Sequence, residues 1–246
     1  MNNTQPKINY QLELDHVIES LQAAGVRKSV LLHSCCGPCS SYVVTYLKEY
    51  FDVTVLYYNP NIYPEEEYMH RLSEQARLLK ELNVPLIEVG YDHDEFLDYV
   101  RSYEAEPEGG ARCKKCFELR LEKTYELAQK YGFDYICTTL TVSPHKNAMV
   151  INAVGQAIIS AHSYNYIETE SCTARPNEMN SDTDMENTCE ARSSLSHSIM
   201  WLPGDFKKRE GYKKSIELSK QYDLYRQEYC GCEFALNRRE FEQLIP

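Results

Sequence analysis

No stretch of this 246-residue chain approaches the apolar run that a transmembrane helix requires. Its start, Met1-Asn2-Asn3-Thr4-Gln5-Pro6-Lys7, is polar and does not read as a secretory signal. Both absences point to a cytoplasmic protein with no membrane partner. Excess positive charge is lacking too. There are 37 acidic against 26 basic residues, a net charge of -11, which argues against nonspecific nucleic-acid binding. No internal repeat is visible. The turn after the first apolar strand also lacks the glycine- and serine-rich loop that cradles a pyrophosphate, since Gly37-Pro38 alone makes a poor cradle.

Cysteine stands in that turn instead. The run is His33-Ser34-Cys35-Cys36-Gly37-Pro38-Cys39-Ser40. A second pair, Cys113-Lys114-Lys115-Cys116, opens another helix, and a third, Cys230-Gly231-Cys232, lies near the C-terminus. In a cytoplasm thiols stay reduced, so ten cysteines mean metal or redox chemistry rather than structural disulfides. A strand-to-helix turn aims the helix dipole and free N–H groups at whatever sits there. Thiolates so placed have lowered pKa values and bind soft metals. Of the other three cysteines, Cys137 lies inside a strand and is expected as a small core residue. Cys172 and Cys189 are expected to be free surface thiols.

Apolar periodicity gives alternating elements. Helices are expected over Tyr10–Ala24, Ser40–Glu49, Glu65–Leu82, Asp92–Val100, Glu118–Lys130 and Asn147–Ala161. Strands are expected over Ser29–Leu32, Val53–Tyr58, Leu86–Val89, Tyr135–Thr138 and Ile199–Leu202. Pro64 is expected in the first turn of the third helix. This order implies an α/β fold, a parallel sheet with helices on both faces. Its ligands belong at the carboxyl edge of the strands. The segment 1–28 reads as an N-terminal helical part and 29–168 as the core that carries the cysteine motifs. The segment 169–198 reads as an acidic mobile insertion, with seven acids against two arginines between Glu168 and Arg192. The segment 199–246 reads as a small C-terminal region of the same domain, bearing Cys-Gly-Cys.

A cubane iron–sulfur cluster takes four thiolates from at least two chain segments. Cys35, Cys36, Cys39, Cys113 and Cys116 are five candidates. A structural zinc site built on Cys113 and Cys116 is the plainer alternative. A disulfide between Cys230 and Cys232 would close a tight ring, which makes such a bond labile. Basic groups at Arg112-Lys114-Lys115-Arg120, Lys207-Lys208-Arg209 and Arg238-Arg239 stand out from the acidic background, although each alone reads as a solvated face.

Several ordered motifs together resemble the QueH-type epoxyqueuosine reductases, which act on tRNA in the last step of queuosine synthesis. They are His33 to Cys39, Tyr57-Tyr58-Asn59-Pro60-Asn61-Ile62 with Glu67-Tyr68 and Arg71, and Glu106 to Cys116 with Arg120-Leu121. They continue with Thr138-Thr139-Leu140, Ser143-Pro144, Asp205-Phe206-Lys207-Lys208, Gly211-Tyr212 and Tyr225 to Cys232. Gly37 stands where alanine is common, and the acidic insertion is extra. The resemblance implies a HUP-like fold, akin to the nucleotide α-hydrolases. It implies a 4Fe-4S cluster on Cys35, Cys36, Cys113 and Cys116, with Cys39 free to hold an additional mononuclear iron or to face substrate. Cys230 and Cys232 would form a redox-active disulfide. The reaction would be a two-electron epoxide deoxygenation on tRNA, fed by an unidentified electron donor. Phosphates would meet Arg112, Lys114, Lys115, Lys207 and Lys208. Tyr58 and Asn59 are candidate substrate contacts. His33, His145 and Tyr58 are candidate proton donors, and His33 equally suits a role in fixing the cysteine turn.

Two other functions compete. One is an ATP-dependent tRNA-thiolating enzyme of the same fold, which the missing phosphate cradle disfavours. The other is a noncatalytic, zinc-stabilised binding module.

Overall fold

The structure is a computed structural model that describes residues 8–170 and 198–235. Its strands are Ser29–Ser34 (β1), Asp52–Tyr57 (β2), Leu86–Glu88 (β3), Tyr135–Thr138 (β4) and Met200–Trp201 (β5). They form one parallel sheet in the order β3-β2-β1-β4-β5. The chain leaves β1 toward β2 on one side and returns to β4 on the other. Such a reversal opens a crevice beyond the carboxyl ends of the two central strands.

Side chains alternate across the sheet, and both faces are covered. Val30, Leu32, Val53 and Val55 pack against helices Tyr10–Ala23 (α1), Gly37–Leu47 (α2) and Glu65–Leu82 (α3). Leu31, Leu56 and Ile136 pack against His93–Tyr99 (α4), Ala111–Tyr131 (α5) and Ala148–Glu170 (α6). Burial on both faces explains why the central strands read as unbroken apolar runs. The expected α/β class, a parallel sheet with helices on both sides, is what the chain adopts. Cys137 is a buried core residue on the α1–α3 face. Among the described residues, no helix is long and apolar enough to cross a membrane.

Several boundaries differ from expectation, each for a local reason. β1 runs on to Ser34, which still pairs with Tyr57 of β2 and whose hydroxyl is taken up by Ser40 and Gln75 (3.2 Å). Helix α2 starts at Gly37 rather than Ser40. Cys36 is its N-cap, with Sγ accepting from the Cys39 N–H at 3.4 Å. Pro38 sits in the first turn, where its missing N–H leaves nothing unpaired. Pro64 is the N-cap of α3 and not a member of its first turn. Helix α5 starts at Ala111 rather than Glu118, which places Cys113 and Cys116 one turn apart on one face.

One helix, Gly211–Gln221 (α7), was not expected at all. Its buried face is Gly211, Ser215 and Ser219, small residues rather than large apolar ones. Small residues are used because α7 packs closely on α2. A Cβ at Gly211 would fall 2.5 Å from the Tyr42 ring. Of the expected acidic insertion 169–198, residues 169–170 end helix α6, while 171–197, with Cys172 and Cys189, lie outside the described residues, as do Arg238 and Arg239.

Candidate metal and redox centre

Three chain segments bring sulfur to the crevice. The first is the turn after β1, where the sulfurs of Cys35, Cys36 and Cys39 all lie within 4.8 Å of one another. Cys36 Sγ is 3.8 Å from Cys35 Sγ and 2.8 Å from Cys39 Sγ. The second is the opening of α5, with Cys113 and Cys116, and the third is the loop Cys230-Gly231-Cys232. Cys35, Cys113, Cys116, Cys230 and Cys232 line one cavity of about 130 Å³, whose wall also holds Phe96, Phe117, Leu140 and Val150. A second cavity of about 550 Å³ shares Cys35 and Cys230 with the first and adds Cys39.

The C-terminal pair is held there by α3. Arg71 is 1% exposed and paired to Glu67 at 2.6 Å. Its guanidinium donates to the Cys230 carbonyl at 3.2 Å and the Tyr229 carbonyl at 3.3 Å. The Tyr63 N–H donates to the Gly231 carbonyl at 2.8 Å. Gly231 has φ of +99°, and a Cβ there would meet Arg71 Nη1 and Ile62 Cγ1 at 2.9 Å. Only glycine fits such a backbone so close to a clamp.

A second arginine sits among the sulfurs. Arg120 is 3% exposed and donates to Asn59 Oδ1 (2.6 Å), His33 Nε2 (3.1 Å) and Cys116 Sγ (3.7 Å). It makes no ion pair with a carboxylate among the described residues. A buried charge without a counter-charge is costly, so the balancing negative charge must come from sulfur. Because Arg120 donates to Nε2, the His33 proton resides on Nδ1 and goes to Thr138 Oγ1 at 2.9 Å. Burial, reinforced by Arg120, lowers the His33 pKa to about 3. His33 is therefore a neutral brace for the turn, and its candidacy as a proton donor falls.

The thiols divide charge unequally. Hydrogen bonds from Cys36 and Cys39 pull Cys35 well below the ordinary thiol range. Burial, reinforced by Cys35, pushes Cys36 up to about 12. In the C-terminal pair, the Cys232 thiol donates to Cys230 and lowers it to about 6, against the effect of burial and with help from Lys146. Cys232 is correspondingly raised. In metal-free protein, alkylation of Cys230 is thus expected to rise with pH through a midpoint near 6, where an ordinary thiol titrates at about 8.5. Peptide mapping after iodoacetamide pulses at pH 5 to 9 reads this directly. A midpoint of 8 or above contradicts the Cys232 hydrogen bond.

This donor set fits a soft-metal centre. It offers clustered thiols from separate segments, a buried guanidinium that wants negative charge, and apolar walls that exclude water. The comparisons with known proteins identify a family. The model of the family described as "Epoxyqueuosine reductase QueH" matches residues 30–183 and 169–238. The "Epoxyqueuosine reductase QueH" of Streptococcus pyogenes serotype M1 is 36% identical over 239 residues, spanning 95% of this chain and 80% of that protein. The chain belongs to the QueH epoxyqueuosine reductase family.

The QueH protein of Staphylococcus epidermidis is 35% identical, over 97% of this chain and 90% of its own length. A solved structure, the U34-tRNA thiolase NcsA from Methanococcus maripaludis with its 4Fe-4S cluster, aligns with a TM-score of 0.46 at 11% identity, over 95% of this chain and 75% of that one. A likeness so loose transfers nothing to this chain.

Other expected contacts are placed differently. Arg112 is 4% exposed, its guanidinium bonds the Glu104 carbonyl (2.7 Å) and the Glu106 carbonyl, and it lines the smaller cavity with Nε unpartnered. Tyr58 gives its hydroxyl to Glu95 at 2.6 Å, and the Asn59 amide is shared between the Ser34 carbonyl and Arg120. Neither lines a cavity; both hold the rim. Lys114 and Lys115 pair with Glu118 on α5. Lys207 donates to the Lys146 carbonyl at 2.9 Å, and Lys208 is exposed.

Sequence reasoning missed two wall residues. Lys146 lines both cavities, and although burial lowers its pKa, the facing sulfurs of Cys35, Cys230 and Cys39 raise it overall. Nothing in its local sequence marks it. Asn61 lines the smaller cavity, 3% exposed, with Oδ1 unpartnered. Its place in the Asn-Pro-Asn motif was the available sign.

Proposed function

We propose that this protein reduces epoxyqueuosine to queuosine at the wobble position of tRNA. One observation carries the reading beyond family membership: Cys35, Cys113, Cys116, Cys230 and Cys232, drawn from all three motifs, line a single cavity at the switch point of the sheet, with Cys36 and Cys39 within 4.8 Å of Cys35. Cys35, Cys36, Cys113 and Cys116 would hold a 4Fe-4S cluster, and Cys39 would hold an additional iron or face substrate. When bound, such a centre supplies one-electron transfer and an open iron that polarises the epoxide oxygen.

The chain's own residues supply the rest. Cys232 lines only the smaller cavity, whereas Cys230 lines both. The dithiol therefore stands between the metal centre and the wider space. Its oxidation to a disulfide releases two electrons and two protons. These convert the epoxide to an alkene and its oxygen to water, so the step balances. A reductant from outside the chain must restore the dithiol for the next turn. The Arg71 clamp keeps both sulfurs in register, and Arg120 with Lys146 offsets the negative charge that gathers there.

Anaerobic incubation with epoxyqueuosine-containing tRNA and a chemical reductant is the test. Mass spectrometry of the nucleosides should show loss of one oxygen, in a brown protein with about four irons per chain. Colourless, zinc-loaded protein that leaves the epoxide intact overturns the reading.

A further inference from the structure

The two cavities differ in chemistry as well as size, and the reductase reading does not by itself say which one meets the nucleoside. The smaller holds most of the sulfur and has apolar walls. The larger, about 550 Å³, lies in the range of small-molecule sites and is walled mainly by polar side chains. The two adjoin, sharing Cys35, Glu108, Gly109, His145, Lys146 and Cys230 in their walls.

We propose that the larger cavity is the nucleoside subsite, entered between the start of α7 and the loop 143–146, while the smaller is reserved for the metal centre. This assignment rests on the reductase reading. Three observations carry it. Tyr212, in the first turn of α7, lines the cavity, and its hydroxyl has no partner among the described residues. Its ring is available to stack a base turned out of a single-stranded loop. Gln227 lines the same space, and its Oε1 is buried without a hydrogen-bond partner. An acceptor left so is costly unless a ligand hydroxyl or N–H meets it. Lastly, Lys208 and Lys213 are exposed within a few residues of the start of α7, Lys213 at 3.5 Å from Glu210, and suit the phosphates beside the flipped nucleotide. A nucleoside seated there presents its ring substituent to Cys230, Cys35 and Cys39, all in the wall of this cavity.

The test uses anaerobically prepared, iron-loaded full chain and epoxyqueuosine-containing tRNA. Tyr212→Ala removes the stacking ring. Pro144→Trp adds bulk at an exposed position on the facing wall. Each variant is expected to keep its iron and visible absorption while KM rises about tenfold or more, with a much smaller change in kcat. Unchanged KM in both, against a wild type that turns over, overturns the cavity assignment and leaves the reductase reading standing. A wild type that never removes the oxygen brings down both. If one variant fails to load iron, the other decides, because they lie on separate elements.

Discussion

Cys35→Ala and Cys113→Ala are each expected to abolish assembly of the metal centre, from about four irons per chain to near none, and with it the activity. The two sulfurs come from the turn after β1 and from the first turn of α5, yet they line one cavity. Cys35 also has the Cys36 and Cys39 thiols turned toward it, so its loss breaks up the triad. Removing the Cys35 sulfur leaves Arg120 and Lys146 with less negative charge to face. Cys137→Ala is the matched control. That thiol is buried but lies on the opposite face of the sheet, and its loss should leave iron content unchanged. Iron analysis and visible absorption of anaerobic protein read both results. Full iron in the Cys35 or Cys113 variant would strike that sulfur from the ligand set.

The second large effect concerns the C-terminal pair. Cys230→Ser should keep the metal centre and slow multiple turnover by about a thousandfold or more. Serine preserves the loop, because Arg71 grips the backbone carbonyls of Tyr229 and Cys230 and not the sulfur. What disappears is the disulfide that would carry the two electrons. The thiolate at position 230 also goes, and it is the better nucleophile of the pair at neutral pH because Cys232 donates its proton toward it. Quantifying epoxide loss over many cycles, beside iron content of the same sample, separates the two roles. Wild-type turnover in this variant removes the dithiol from the reaction, and loss of iron would make Cys230 a ligand.

Much of this was legible in the residues. The turn after β1 announces itself because a short apolar run meets cysteines and then a helix with proline in its first turn. The parallel sheet follows from strands alternating with helices. Helix α7 was overlooked because close packing against α2 demands small residues, and Gly211, Ser215 and Ser219 look like surface, although its 3.6-residue periodicity was there to be read. Arg120 could have been placed, since it follows Cys116 by one helical turn on a face that points inward. Arg112 misled for the opposite reason. A basic residue in a basic cluster reads as solvated, yet its guanidinium is used by carbonyls of the preceding loop.

By itself the sequence determined the inventory: three thiol motifs, each at a strand or helix end, on an α/β frame in a chain of net negative charge. The motifs also carried the family. Tertiary structure alone decided which sulfurs share a space, that two cavities rather than one meet at Cys35 and Cys230, and that Lys146 and Asn61 stand in the wall. The reason is geometric. Local sequence governs dihedrals and caps within a few residues, whereas the crevice forms where β1 and β4 lie side by side, 105 residues apart at His33 and Thr138. That adjacency is a property of the sheet order, which no single segment encodes.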